Sequence, residues 1–134
     1  MRAVLDVNVL ISALISPRGA PAQIVAEWES GLFELIASEE LIAELRRAGG
    51  YPKLRDVLDH ADLEDLAEAI RGAASIGDAP APISLRSVDP ADDYLLALAA
   101  AHGAALVTGD RHLLALTDRA PIYAPRDFLE QLGV

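Results

Sequence analysis

The sequence predicts an α/β protein, a three-layer α/β/α sandwich built on a central parallel β-sheet, on three observations. Short apolar runs without in-and-out alternation, Ala3-Val4-Leu5 and Ala104-Ala105-Leu106-Val107, have the pattern of strands buried on both faces of a parallel sheet. Such runs alternate with stretches of helical periodicity, the mark of successive βα units. The chain has 134 residues, 52% of them hydrophobic, enough for one core and too few for two, so residues 1–134 are expected to form a single domain. With aromatics at 4%, that core must be aliphatic. No repeat, linker or low-complexity tract interrupts the chain.

The first strand, Ala3 to Leu5, ends at Asp6, and Val9-Leu10-Ile11 with Ala13-Leu14-Ile15 continue as a helix that packs back on the sheet. Ser16-Pro17-Arg18-Gly19-Ala20-Pro21 is a turn cluster that ends it. Ala22 to Ser30 forms the second helix, with Ile24, Val25 and Trp28 on one face and Gly31 as its stop. Leu32 to Ala37 is the second strand. Ser38 caps a third helix to Ala48, turning Leu41, Ile42 and Leu45 inward before Gly49-Gly50.

Tyr51 to Leu58 reads as a short helix with Pro52 in its first turn, and Asp62 to Ser75 as a longer one on Leu63, Leu66, Ala67 and Ile70. Pro80 and Pro82 mark a loop between Gly77 and Val88, with a short strand expected at Ile83-Ser84-Leu85. Asp89 caps a helix to His102, with Pro90 at its first position. Gly103 ends it and Ala104 to Thr108 is the next strand, stopping at Gly109-Asp110. Arg111 to Leu116 is a short helix, Pro121 to Tyr123 the last strand and Pro125 to Leu132 the last helix.

Composition narrows the chemistry. The absence of cysteine excludes disulfides, thiolate metal sites and thiol nucleophiles. His60, His102 and His112 have no zinc-ligand spacing, so any metal would be hard and held by oxygen. Twenty-one acids against eleven bases give a net charge of −10, with Lys53 the one lysine. That argues against a general basic surface for nucleic acid, so a polyanionic substrate would need a cation or a few placed arginines. No run of about eighteen apolar residues and no basic-then-apolar leader is present, so a cytoplasmic protein without a membrane partner is expected.

The acids are where ordinary explanations fit unevenly. Asp6 and Asp110 each follow a buried strand directly, and each is also well placed to cap the next helix. Two strands running the same way nevertheless bring both to one edge of the sheet, the edge at which open α/β sheets bind ligands. Glu39 and Glu40 suit the first turn of their helix, whereas Glu44 lies beyond it and has Arg47 as an i,i+3 partner on the solvent side. In Asp89-Pro90-Ala91-Asp92-Asp93, Asp89 is the cap and Asp92 answers the helix dipole or makes a reciprocal capping contact. Asp93 is left over, in line with Ala97 and Ala100. Four carboxylates in one pocket would repel one another unless a divalent cation neutralised them.

At these residues the sequence resembles the PIN-domain ribonucleases, in particular the VapC-like toxins of bacterial toxin–antitoxin pairs. The likeness is carried by LDVNVLISALISPRGAPAQI, FELIASEELIAELRR and DPADDYLLALAAAHGAALVTGDRHLLAL. The resemblance implies a PIN-like fold and a metal-dependent endoribonuclease, inhibited by a cognate antitoxin and forming a homodimer. It matches the family's four acids to Asp6, Glu44, Asp93 and Asp110 as ligands of Mg²⁺ or Mn²⁺, with Asn8 and Thr108 orienting ligands or water and Asp92 as a substitute or supporting acid. Two departures stand out: Val7 where many relatives have Thr or Ser, and His112 where some have a further acid.

Two other readings compete. A haloacid-dehalogenase-like phosphatase also opens with a strand and an Asp-x-Asp, but Asn8 replaces its second Asp, and Lys53 follows a Gly-Gly-Tyr-Pro turn. A non-catalytic dimerisation or partner-binding module of the same fold would show no metal-dependent activity and would tolerate Asp6→Ala.

Overall fold

The computed structural model describes residues 1–77, 83 and 85–134. Five strands form one sheet: β1 (Arg2–Leu5), β2 (Glu34–Ser38), β3 (Ser75–Gly77), β4 (Ala105–Val107) and β5 (Ile122–Tyr123), in the order β3-β2-β1-β4-β5. Every pairing is parallel, with Ala3 opposite Leu35 on one side of β1, and Val4 opposite Leu106 on the other. The unalternated runs that predicted buried strands are buried: Ala3, Val4, Leu5, Leu106 and Val107 are at most 1% exposed.

The helices are α1 (Val7–Ile15), α2 (Ala20–Glu29), α3 (Glu39–Ala48), α4 (His60–Ala73), α5 (Asp93–Ala101), α6 (Arg111–Leu114) and α7 (Pro125–Leu132). The chain steps outward from β1 to β2 to β3, then returns through α5 to β4 on the far side of β1. Right-handed crossovers place helices on opposite faces when the direction of stepping reverses. The packing agrees: α1 lies against α2, α3 and α4, α7 packs on α2, and α5 crosses β1, β2 and β4. This is the expected three-layer α/β/α sandwich. Phe33 and Phe128 meet edge to face with centroids 5.3 Å apart, fastening α7 to the segment entering β2.

Local chemistry explains most boundaries. Ser38 caps α3 by accepting from the Leu41 N–H at 3.2 Å, as its position predicts. α4 starts at His60, two residues before the expected Asp62, with Asp59 as its cap accepting from the N–H groups of Ala61 and Asp62. Arg46 joins α3 to α4 through Glu64 and Glu68, and Arg71 grips Glu39 through two hydrogen bonds. These pairs are exposed, so they fix register more than they add stability.

Three expectations need correction. The helix expected over Tyr51 to Leu58 is a single 3₁₀ turn, Pro52–Leu54, followed by turns. The third strand is Ser75–Gly77 rather than Ile83-Ser84-Leu85. Ile83 and Leu85 are not in a strand, and Ser84 lies outside the described residues. As an edge strand with Ser75 and Ile76 exposed, β3 shows no apolar run, and the α4 pattern ran over its start. Asp89 caps the 3₁₀ turn Pro90–Asp92, and α5 begins only at Asp93. Of the two alanines in line with Asp93, Ala97 is buried and Ala100 is exposed, because α5 buries Leu95 to Ala99 without a break. Among the described residues no single helix is long and apolar enough to cross a membrane.

Candidate active site at the carboxyl end of the sheet

The strand order reverses between β1 and β4, and the crevice outside their carboxyl ends is the topological switch point where open α/β sheets bind ligands. Asp6 leaves β1 there and is 5% exposed. Its backbone N–H extends the ladder to the Val107 carbonyl at 2.9 Å, which fixes the residue against β4. Asp6 does cap α1, but with one oxygen only: Oδ1 accepts from the Asn8 N–H at 3.3 Å. Oδ2 accepts from the Thr108 hydroxyl at 2.7 Å.

Thr108 is fully buried at the end of β4 and has two duties. Its hydroxyl donates to Asp6 and its Oγ1 accepts from the Asp110 N–H at 3.0 Å, so one side chain ties both strand-end acids together. Asp110 caps α6 through Oδ1, accepting from the His112 N–H at 2.8 Å. Its Oδ2 has no hydrogen bond among the described residues. The capping explanation and the site explanation therefore hold together, since each acid spends one oxygen on its helix.

Glu44 approaches from α3. It does not pair with Arg47; the Tyr94 hydroxyl from α5 donates to its Oε2. Tyr94 was not among the residues singled out from the sequence, and with fifty positions between it and Glu44 no spacing rule would link them. Burial and the neighbouring carboxylates push the Tyr94 phenol well above its ordinary range, so it remains a donor.

Asp92 and Asp93 have different surroundings. Asp93 Oδ1 accepts from the Ser87 N–H at 2.7 Å, and Oδ2 lies 3.8 Å from Arg86 Nε, so this carboxylate braces the segment that enters α5. Asp92 precedes α5 but makes no side-chain capping bond. Its carboxyl is pushed up to about 6, first by burial and then by the charges of Asp6, Asp89, Asp110 and Glu44. Asp6 is also raised, first by burial against the lowering effect of Thr108 and Asn8, then by Glu44 and Asp110. Asp6, Glu44, Asp92 and Asp110 thus share one electrostatic neighbourhood.

The donor set is all oxygen and carries net negative charge, which fits a hard divalent cation and relief of that repulsion. Among the described residues no three acidic or imidazole side chains stand close enough together to hold an ion as they are. Glu44, Asp92 and Asp110 are partly exposed, whereas Asp6 is buried and fixed by its two hydrogen bonds.

Comparison with known proteins agrees with this architecture. Among curated protein sequences none matches the chain. Among solved structures, VapBC-1 from nontypeable Haemophilus influenzae superposes with a TM-score of 0.63 at 18% identity, covering 94% of this chain and 99% of that one. VapBC2 from Rickettsia felis, bound to a DNA fragment from their promoter, gives 0.61 at 18% identity over 92% and 97%. FitAcB from Neisseria gonorrhoeae gives 0.54 at 21% identity over 92% and 98%. These likenesses establish the fold. Residues 2–112, from β1 to the first turn of α6, match the PIN domain family, and the chain belongs to that family.

Proposed function

We propose that this protein is a metal-dependent endoribonuclease that hydrolyses RNA phosphodiester bonds, acting as the toxin of a type II toxin–antitoxin pair. The observation that carries the reading is the Thr108 bridge, which holds the Asp6 carboxylate and the Asp110 backbone at the switch point with Glu44 and Asp92 beside them. PIN-domain nucleases generally use divalent metals, and Mg²⁺ or Mn²⁺ suits oxygen ligands of this kind. When bound, such an ion would supply an activated water and stabilise charge on the phosphate.

The residues divide the work. Asp6 is the fixed ligand, its unshared electron pairs aimed by Thr108 and Asn8, and Asp110 offers its free oxygen from the neighbouring strand. Glu44 contributes from α3, oriented by Tyr94, which acts as a positioning residue. Of the two candidates at the start of α5, Asp92 is the better ligand because its carboxylate makes no hydrogen bond or ion pair among the described residues, while Asp93 is occupied by Ser87 and Arg86. Asn8, exposed on the first turn of α1, and Thr108 orient a ligand or water.

The acidic pocket also indicates its regulator. An antitoxin segment bearing arginine would pair its guanidinium with these carboxylates and block the ion. The likeness to the VapBC and FitAcB structures supports such a partner, and a homodimer of this chain is part of the same reading. Among the described residues no three ligands stand ready-made around one point, which keeps one alternative in view, a PIN-fold module that binds a partner without turnover.

Incubating the purified chain with a mixed RNA pool in Mn²⁺, Mg²⁺ or chelator decides between them. Cleavage that requires metal and is lost in Asp6→Asn supports the nuclease. Intact RNA in every condition, with no metal bound, leaves the binding module.

A further inference from the structure

Beside the acidic centre lies a groove of about 350 Å³ between α1, the start of α2 and the start of α7, bordered by Asn8, Ser12, Pro21, Gly109, Asp110 and Pro125. That volume is within the roughly 300–1,000 Å³ of clefts that hold small organic groups. Asn8 and Ser12 are four residues apart on α1, so their exposed amide and hydroxyl lie one above the other on the same face. Pro21 and Pro125 stand in the first turns of α2 and α7 as rigid apolar walls. Gly109 leaves the floor open, since a Cβ there would meet nothing within 4 Å.

Of the chain's eleven bases, seven form no ion pair among the described residues, and three of those seven stand on the segments that border this groove. Arg2, Arg46, Arg71 and Arg86 are tied to carboxylates. Arg18 lies in the turn just before α2, Arg111 follows Asp110, and Arg126 follows Pro125; all three are exposed and none forms an ion pair among the described residues. In a chain of net charge −10, three uncommitted guanidinium groups on the segments bordering one groove are well placed to hold phosphates.

Resting on the nuclease reading above, we propose that this groove seats one unpaired nucleotide of the RNA strand adjacent to the cleaved bond. The base packs between Pro21 and Pro125, Asn8 and Ser12 bind the ribose 2′-hydroxyl or the base edge, and Arg18, Arg111 and Arg126 take the flanking phosphates. The amide and hydroxyl provide the discrimination between RNA and DNA, because the 2′-hydroxyl can both donate to and accept from them. An unpaired strand is the form that fits, since the bases of single-stranded RNA are free to splay out and be read by side chains.

The test is fluorescence anisotropy of a labelled single-stranded RNA of mixed sequence, and of the matching DNA, with Ca²⁺ as the divalent ion and salt varied. Ser12 is exposed on a helix, so Ser12→Leu is expected to fold normally while filling the groove. RNA affinity should fall about tenfold, with Mn²⁺ affinity by calorimetry unchanged. Ser12→Ala should reduce the preference for RNA over DNA by a factor of about three. Replacing Arg18, Arg111 and Arg126 together by alanine should lower the slope of log affinity against log salt by about 2, at about 0.7 per lost contact to a single strand. If wild type cleaves RNA and these variants bind it with unchanged affinity and slope, the groove is not the seat of the strand and the nuclease reading survives. If wild type neither binds nor cleaves RNA, both fall.

Discussion

Replacing Thr108 by valine removes one hydroxyl and little volume, and tests the bridge on which the site is built. The residue is fully buried, so water cannot substitute for what is lost. Asp6 Oδ2 loses its donor at 2.7 Å and the Asp110 N–H loses its acceptor at 3.0 Å. A hydrogen bond to a charged group is worth about 1.5–3 kcal/mol and one between neutral partners about 1 kcal/mol. The sum is about 3 kcal/mol of stability at neutral pH, or on the order of 10 °C in melting temperature for a domain of this size.

The dependence on pH gives the prediction its edge. Asp6 has a folded-state pKa raised above its unfolded value, so its ionised form costs stability at neutral pH, and that cost disappears as pH falls through the folded pKa. Thr108 opposes the rise, so Thr108→Val raises it further. The deficit should therefore be largest where Asp6 is ionised and shrink as pH falls through its folded pKa, and in an Asp6→Asn background it should drop to about 1 kcal/mol. Urea denaturation of the four proteins of this cycle, in chelator and at several pH values, measures it. A deficit under about 0.5 kcal/mol, or one that does not change with pH or with Asp6→Asn, would refute the argument.

Other outcomes follow from the same geometry. Asp92→Asn should weaken Mn²⁺ binding by about tenfold or more, whereas Asp93→Ala should leave it within a few-fold and instead lower the melting temperature by several degrees through loss of the Ser87 contact; calorimetry and thermal melts separate the two. With Asp92 at about 6 against 3.8 unfolded, the folded protein binds more protons than the unfolded chain between those values. Metal-free stability should thus rise as pH falls from 7 toward 4, and Asp92→Asn should flatten that rise in denaturation midpoints. Because a proton on Asp92 competes with the ion, Mn²⁺ affinity should fall below pH 6, with proton release visible when calorimetry is repeated in buffers of different ionisation enthalpy. Gly49→Ala would put a Cβ 2.1 Å from Leu63 Cδ2 in the buried α3–α4 contact, and should cost about 1–3 kcal/mol in urea denaturation without altering metal affinity.

How far the site was readable depends on the kind of contact involved. Asp6 and Asp110 could be placed on one sheet edge because each follows a short buried strand, and parallel strands share an edge; that inference needs only local pattern. The Thr108 bridge spans 102 positions between Asp6 and Thr108, and the Tyr94 to Glu44 bond spans fifty, so neither leaves a periodic trace. The choice between Asp92 and Asp93 turned on helix phase. The 3₁₀ turn Pro90–Asp92 shifts that phase before α5 starts, and α5 is buried through Leu95 to Ala99, so no polar stripe could reset it. The edge strand β3 escaped for the opposite reason, having too little apolar surface to be seen.

In the proposed nuclease, the carboxyl end of β1 and β4 holds a divalent cation through Asp6. Calorimetric titration of Mn²⁺ into the wild-type chain and into Asp6→Asn tests it most directly, because the isosteric amide keeps the buried packing while removing the charge. A saturable isotherm is expected for the wild type, at least about tenfold weaker in Asp6→Asn, with the two melting temperatures in chelator showing the variant to be no less stable. Equal binding by both proteins, or none by the wild type, would contradict it.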